Sequence, residues 1–450
     1  MANLEDIVAL LKRRGFIYPG SEIYGGLSGT WDYGPLGVIL KRNVENLWWN
    51  FFVEKRTDMY GIDSALLMNP KVWEASGHVA TFSDPLIEDL KTKKRYRLDH
   101  ILEDNEIDPT GMSIEDMQEI ITQKRILSPD GNQLGNAAKF NLMFKTHIGS
   151  VEDDKSIVYL RPETAQGMFV NFKNIMDSFY PDLPFGIAQV GKNFRNEISP
   201  RDFIFRSREF EIMELEYFID PKDWEEEFEK WLKIQVEWYV KILKLDKNKL
   251  VQKEIGPEDR AHYSKRTVDF EYVFPFGTKE IGGFAYRGDF DLSNHQKMSG
   301  KSLEYRVKGT DKVFIPHVLE PTFGLDRNVL ALIFEAYSED EVNNEKRIFL
   351  RLDKEMAPYR VAISPLLKNK TELVEKAKEV FNQVKASIYN VVWDDNGNIG
   401  KRYRRQDEIG TPFCVTIDFE TLDNDTVTLR DRDSTTQERI KISDLIEKIS

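Results

Sequence analysis

Cysteine is nearly absent from this chain: Cys414 is the single one in 450 residues. That excludes an intramolecular disulfide framework and any cysteine-cluster metal site, and points to a reducing, cytoplasmic setting. Long apolar runs are missing too. No stretch of 18 apolar residues occurs, so no membrane-spanning helix is expected. The N-terminal MANLEDIVALLKRRG carries acids and has no long apolar centre, so it does not read as a signal peptide. Histidine is scarce, six in all with no HxxxH spacing, which counts against a histidine zinc site. No repeat period or low-complexity tract is visible. Basic side chains are outnumbered, 63 against 76 acids for a net charge of −13. On its face this argues against a nucleic-acid partner, because phosphate neutralisation needs Lys and Arg.

What is present is a large supply of core. Hydrophobic residues make up 41% and aromatics 12%, and the length suggests two to three domains at roughly 150 residues each. Residues 35–56, opened by Pro35, carry apolar side chains at helical spacing (Leu36, Ile39, Leu40, Val44, Leu47, Trp48, Phe51, Phe52). Ile62–Met68 reads as a strand closed by Asn69-Pro70. Residues 85–155 are polar, with DPTG and SPDG turns and a short helix from Ser113 carrying Asp116 three residues on; they read as an insertion. Strand-like runs follow at Ser156–Leu160, Gly186–Gly191, Glu211–Ile219, 267–274 and 280–287, with helices over 222–245 and 325–337. Strands in runs, with helices outside them, predict an antiparallel α+β core. Beyond a boundary near Lys354–Pro358, YRVAISPL, a helix at 371–386, SIYNVVWD and PFCVTIDF read as a β-α-β-α-β domain.

Three nucleotide-binding patterns compete. Gly186–Lys192 fits G-x4-G-K, but Asn193 stands where a phosphate loop needs Ser or Thr, and GIAQV is itself strand-like. His147–Ser150 and Lys297–Ser302 resemble the HIGH and KMSKS signatures of class I aminoacyl-tRNA synthetases, but VEDDKSI after the first is a charged turn and the second reads as an exposed polar loop. The third pattern is spread along the chain. Phe194-Arg195-Asn196-Glu197 ends an apolar strand, the basic loop ISPRDFIFRSR follows, Arg206-x-x-x-Phe210 opens the next strand, and Gly324-Leu325-Asp326-Arg327 precedes a buried helix. Two guanidiniums from separate elements can grip phosphates bidentately without a phosphate loop.

This third pattern resembles motifs 2 and 3 of the class II synthetases. Residues 61–70 resemble motif 1, a homodimer interface in that family. LRPETAQG (160–167), WDYGPLG (31–37), WEASGH (73–78), AHYSKRTVDFEY (261–272), FPFG (274–277) and EPTFGLDR (320–327) are similar to elements of the glycyl-tRNA synthetases, class IIa homodimeric type, in the family's order over nearly the whole chain. The resemblance implies an α+β fold: a class II antiparallel sheet flanked by helices, with inserted subdomains and a C-terminal α/β anticodon-binding domain. Its divisions are 1–84 (start of the catalytic domain, with motif 1), 85–155 (insertion), 156–220 (core with motif 2), 221–266 (helical insertion), 267–350 (core with motif 3) and 356–450 (anticodon-binding domain).

The function implied is attachment of glycine to tRNA(Gly) through glycyl-adenylate, using ATP and Mg²⁺, in a cytoplasmic homodimer with no membrane association. The alternative is a non-catalytic accessory or structural subunit on the same scaffold. By resemblance, Arg195 and Arg327 are catalytic. The ATP set comprises Arg195, Asn196, Glu197, Phe205, Arg206, Ser207, Arg208, Glu209, Phe210, Glu280, Ile281, Gly324, Leu325, Asp326 and Arg327, with Glu280 as metal ligand. The glycine set comprises Arg97, Glu163, Phe210, Glu211, Glu214, Arg287, Glu320, Thr322 and Gly324. Buried carboxylates suit an α-ammonium, while one methyl is worth only about 1–3 kcal/mol, so glycine selection needs a crowded pocket.

This chain departs from the family pattern in places. The family's EPS is Glu320-Pro321-Thr322, its Asn-Arg-Thr-Asp is Tyr286-Arg287-Gly288-Asp289, and its Trp-Gly-Glu-Leu is Thr278-Lys279-Glu280-Ile281. Where some members have cysteines this chain has Asp89–Lys94, so no zinc is expected. Tyr403 interleaves the basic run, and Lys401, Arg402, Arg404 and Arg405 are the candidates for tRNA contact; Lys91–Arg97 is a second basic stretch. Residues 351–450 hold 17 basic and 18 acidic side chains. The acidity therefore lies in the catalytic body, and tRNA contact is expected at a few basic patches with a modest salt slope.

Overall fold

The computed structural model describes residues 3–109, 111–261, 263–342 and 344–450. Thr110 of the DPTG turn and His262 of the AHYSKRTVDFEY segment lie outside them. The main body is built on seven strands: β1 (Met59–Gly61), β2 (Phe185–Phe194), β3 (Glu209–Ile219), β4 (Leu250–Glu254), β5 (Arg266–Phe274), β6 (Gly277–Gly288) and β7 (His317–Gly324). Their order is β4-β5-β6-β7-β3-β2-β1. Every neighbouring pair is antiparallel except β1 against β2. The predicted antiparallel α+β core is therefore present.

Helices α1 (Pro35–Trp49), α2 (Ala165–Phe179), α3 (Trp224–Glu237), α4 (Phe290–Ser299) and α5 (Leu325–Ala336) pack on this sheet. Helices α1 and α3 each run on into a wider π turn, at Asn50–Glu54 and Trp238–Ile242. These turns carry the aromatic residues that join the helices: Phe52 meets Trp238 and Phe323 at 5.9 and 5.0 Å between ring centroids. A second aromatic cluster, Phe169, Phe172, Phe185 and Phe218, fixes α2 on β2 and β3. Gly186–Gly191 lies inside β2, as the strand reading expects, and Lys192 pairs with Glu209 rather than heading a phosphate loop.

Three sequence expectations need correction. The strand is Met59–Gly61, not Ile62–Met68. After Ile62 N donates to Ala188 O, the chain leaves the sheet edge, and the Ser64 carbonyl accepts from Arg161 Nη1 at 2.9 Å. Residues 290–299, up to the start of the KMSGKS stretch, are helical rather than loop, closed by Gly300 at φ +69°. The C-terminal domain is more than β-α-β-α-β. Its sheet has five strands, and the antiparallel pair Thr426–Asp431 and Gln437–Lys441 extends the parallel core.

The insertion has its own three-stranded sheet (Ser83–Glu88, Arg95–Arg97, Ala138–Asn141) and a core of Ile87, Leu98, Ile101, Leu102, Met117 and Ile121. The Ser113–Asp116 capping box forms as read. In the C-terminal domain, helices α6 (Thr371–Ser387) and α7 (Ile399–Ile409) cover the sheet. Buried Asp407 on α7 pairs with Arg430 and with Arg347 of the preceding hairpin, which ties this domain to the body.

Candidate active site

The ends of β2, β3, β6 and β7 and the start of α5 enclose one cleft with two halves. A tight half of about 120 Å³ and a wider half of about 550 Å³ share Arg195, Ile212, Glu280 and Thr322.

The tight half is rich in guanidinium. Arg195 follows β2, and its Nε donates to the Pro162 carbonyl at 3.2 Å. Its guanidinium lies 5.2 and 5.3 Å from the ring centroids of Phe82 and Phe210. A backbone oxygen and two rings hold this cation in place, which leaves its charge available to an anion in the cleft. Arg206 Nε donates to Glu197 Oε2 at 2.8 Å. Arg208 Nε donates to the Glu197 carbonyl at 3.2 Å. Arg327 donates to the Phe205 carbonyl at 3.3 Å and to the Glu280 carbonyl at 3.0 Å, and its guanidinium lies 4.5 Å from the Phe205 ring centroid. Its Nη1 also lies 3.0 Å from Glu280 Oε2. Asp326 accepts from Tyr33 Oη at 2.5 Å and from Glu211 N at 2.7 Å. Gly324 caps α5 and lines the cleft with Ser207.

Other residues of the expected ATP set lie further back. Ile281 and Leu325 are fully buried in the core. Asn196 N donates to the Leu142 carbonyl at 2.8 Å, which ties motif 2 to the chain leaving the insertion. Glu209 turns outward to Lys192.

The wider half is acidic. Glu163 precedes α2 and lies 3.2 Å from His78 Nε2; Gln166 Nε2 donates to it at 2.9 Å. Burial pushes its carboxyl up, but His78, Arg287 and Gln166 outweigh burial and hold it well below the usual range. Glu214 on β3 accepts from Thr164 Oγ1 at 2.5 Å and from Thr322 Oγ1 at 2.8 Å. Burial, then Glu163, pushes its carboxyl up. Glu320 on β7 accepts from Arg287 Nη1 at 2.5 Å. The other edge of Arg287 donates to Asp291 at 2.7 and 2.9 Å, and its face lies 3.7 Å from the Tyr263 ring centroid. Gly288 explains how Arg287 turns in. The register slips at a bulge between Tyr286 and Gly288, and Gly288 has φ +63°, a conformation suited to glycine.

Four members of the expected glycine set, Arg97, Phe210, Glu211 and Gly324, lie outside the acidic half. Glu211 pairs with Lys41 at 2.6 Å and borders the tight half. An odd separation along β3 puts it on the opposite face from Glu214. Arg97 stays in the insertion, held by Asp84 and Asp99; that subdomain reaches the guanidinium end through His100, 3.4 Å from Arg206 Nη1. Phe210 contacts Arg195 rather than the acids. Residues not anticipated are His78, Gln166, Asp291, Asp269 and Glu216. The Asp269 carboxyl, in the wider half, is pushed up to about 7 by burial, Glu280 and Glu271. Strand parity would have revealed Glu216, two residues from Glu214.

On α7 the basic run divides. Arg402 is buried and donates to the carbonyls of Gly397, Asp395 and Pro365, so it faces the domain interior rather than a polyanion. Lys401, Arg404 and Arg405 line a cleft of about 870 Å³ with Arg14, Arg347 and Arg430. Within the insertion, Lys93 and Arg95 pair with Glu88 and Lys94 with Asp130.

Residues 144–337 match the family model described as tRNA synthetase class II core domain (G, H, P, S and T), and residues 360–450 match the anticodon binding domain. The chain is 50% identical to the glycine–tRNA ligase of Mycoplasmopsis synoviae, covering 98% of each chain. It is 48% identical to that of Acetivibrio thermocellus, over 99% of this chain and 97% of the relative. With that of Borrelia garinii it is 46% identical, over 100% and 97%. The guanidinium-lined and acidic halves of one cleft thus occur in a chain that belongs to the glycine–tRNA ligase family of class II synthetases.

Proposed function

We propose that this chain joins glycine to tRNA(Gly) in two steps. The glycine carboxylate attacks the α-phosphate of ATP, giving glycyl-adenylate and pyrophosphate; the tRNA 3′ end then takes the glycyl group, releasing AMP. The observation that carries this reading is the position of Arg195 at the junction of the two halves, where the α-phosphate and the attacking carboxylate must meet. In this reading Arg195 steadies the pentacoordinate phosphorus, Arg206 and Arg327 grip the remaining phosphates, and Phe210 and Phe205 border the adenine end. Position and charge do the catalytic work, with no covalent step on the protein.

Glu163, Glu214 and Glu320 receive the α-ammonium, and Thr322 keeps its hydroxyl on Glu214. Magnesium fits at Glu280, half-exposed at the phosphate end beside Arg327, where phosphate oxygens complete its shell. When bound it neutralises charge on the leaving pyrophosphate. Lys401, Arg404 and Arg405 contact the tRNA backbone. A second copy docks against residues 61–70, where Leu66 and Leu67 are exposed. The protein acts in the cytoplasm; among the described residues no helix is long and apolar enough to cross a membrane.

ATP–pyrophosphate exchange, run with each amino acid in turn, tests the reading. Exchange stimulated by glycine alone is the expected result. Absence of exchange with every amino acid would favour the non-catalytic alternative.

A further inference from the structure

One acid buried behind the acidic half, against Glu214 and Glu320, has no role so far. Glu216 lies on β3 two residues beyond Glu214 and on the same face, and the flanking register sets it opposite Glu320 of β7. It is fully buried, and neither carboxylate oxygen has a hydrogen-bond partner. One of its oxygens and one each from Glu214 and Glu320 lie within 4.8 Å of one another. An unpartnered carboxylate in such a place is costly in its charged form, so it needs either a proton or a cation that arrives with the substrate.

The surroundings decide between these states. From its own strand Glu216 faces Glu214, and from β7 it faces Glu320. Arg287 of β6 is already committed to Glu320 and to Asp291 of α4. The shell beyond holds Glu163 with His78, His295 bonded to Gln166, and Tyr263 against Arg287. Five carboxyls therefore gather around one guanidinium and the His78 ring. Burial and Glu320 push the Glu216 carboxyl well above its usual range, and Glu320 is pushed the same way by burial. Two like charges this close titrate as a unit and hold a proton between them.

We propose that Glu216 is a positioning residue for the amino-acid substrate: in the empty pocket the Glu216–Glu320 pair holds one proton, and the incoming α-ammonium displaces it. The exchange balances. One positive charge enters as the ammonium and one leaves as a proton, which reaches solvent past Glu320 on the pocket wall; no covalent bond changes besides the O–H. The net charge of the buried cluster stays constant, so binding adds no unpaired charge to the interior. A neutral molecule of glycine's size gains nothing from the exchange. This inference rests on the glycine pocket proposed above and goes beyond it in assigning the proton and Glu216.

Two measurements on the full-length enzyme test it. In ATP–pyrophosphate exchange, the wild-type KM for glycine falls about tenfold per pH unit, between pH 6 and the point where the empty pair ionises. In Glu216→Gln that slope disappears. Titration calorimetry of glycine binding to wild type, in two buffers of different ionisation heat, gives about one proton released per site near pH 7. The inference is overturned by Glu216→Gln retaining the wild-type slope, or by wild type releasing no proton; the second result does not depend on the variant folding. Wild-type exchange that glycine fails to stimulate sinks the proposed function itself, whereas glycine-stimulated exchange with a pH-independent KM sinks only the role of Glu216.

Discussion

Glu211 and Glu214 are three residues apart on β3 and face opposite sides of the sheet, one toward Lys41 and the other into the acidic pocket. Motif resemblance groups them, and the pleat separates them. The same parity brings in Glu216, which no motif picked out. Arg195, by contrast, was picked out by combination: FRNE alone reads equally as the start of an exposed charged hairpin, and it gained weight only with the basic loop, Arg206-x-x-x-Phe210 and Gly324–Arg327 in the same order along the chain. Arg195→Ala should lower kcat/KM for exchange by about 10²–10³-fold, the usual loss on removing a donor at developing charge, with an unchanged circular dichroism spectrum; near-wild-type exchange would refute its assignment. Thr322→Val keeps the side-chain shape but takes a donor from buried Glu214, at a cost of about 1–3 kcal/mol. The KM for glycine should rise about tenfold or more, while Thr322→Ser stays close to wild type. Asp269 is pushed up to about 7, so between its unfolded value and 7 the folded state holds the extra proton. Its contribution is favourable at low pH and is lost as pH rises through 7. Asp269→Asn should therefore raise the melting temperature of the apo enzyme more at pH 8 than at pH 5; an equal effect at both would contradict the assignment.

Elements were legible where their period is strong. The segments at 35–56, 222–245 and 325–337 were readable as helices because bulky apolar residues recur along one face. The π turns that end the first two were hidden, since they depend on Phe52 and Trp238 meeting across the core. Ile62–Met68 was misread because its composition suits a strand, whereas pairing with β2 stops after Gly61. Propensity describes a segment; a strand also needs a neighbour. The bulge at Gly288 is likewise a tertiary feature, and it sets how Arg287 enters the pocket. Gly288→Ala forces a left-handed conformation costing about 1–2 kcal/mol and brings the new methyl 3.0 Å from Lys265 Nζ. It should raise the KM for glycine while leaving that for ATP within about twofold; equal effects on both would mean that the bulge does not position Arg287 specifically.

For the molecule as a whole, the charge map decides where a polyanion can dock. The chain carries −13, yet Arg14, Arg347, Lys401, Arg404, Arg405 and Arg430 share one cleft. Arg347 and Arg430 are buried and paired with Asp407, which leaves Lys401, Arg404 and Arg405 as the residues proposed for a small, localised footprint on tRNA. Asp407 holds that region together, contacting Arg430 at 2.7 Å and Arg347 at 3.3 Å. Asp407→Ala leaves two buried guanidiniums without this partner and should cost about 3–5 kcal/mol. Because exchange uses only the catalytic cleft, tRNA charging should fall much further than glycine-dependent exchange. Parallel loss of both would show that the C-terminal domain is needed for the catalytic body to fold.

The sequence by itself determined the α+β class, and it named the arginines and most of the acids that line the cleft. These follow from local periodicity and from side-chain types grouped in contiguous motifs. Only the tertiary structure decided which acids share a pocket, that Arg402 is interior, and that Glu216 stands unpartnered beside Glu214 and Glu320. Burial and ionisation are properties of neighbours across strands, and no stretch of chain carries its cross-strand partner with it.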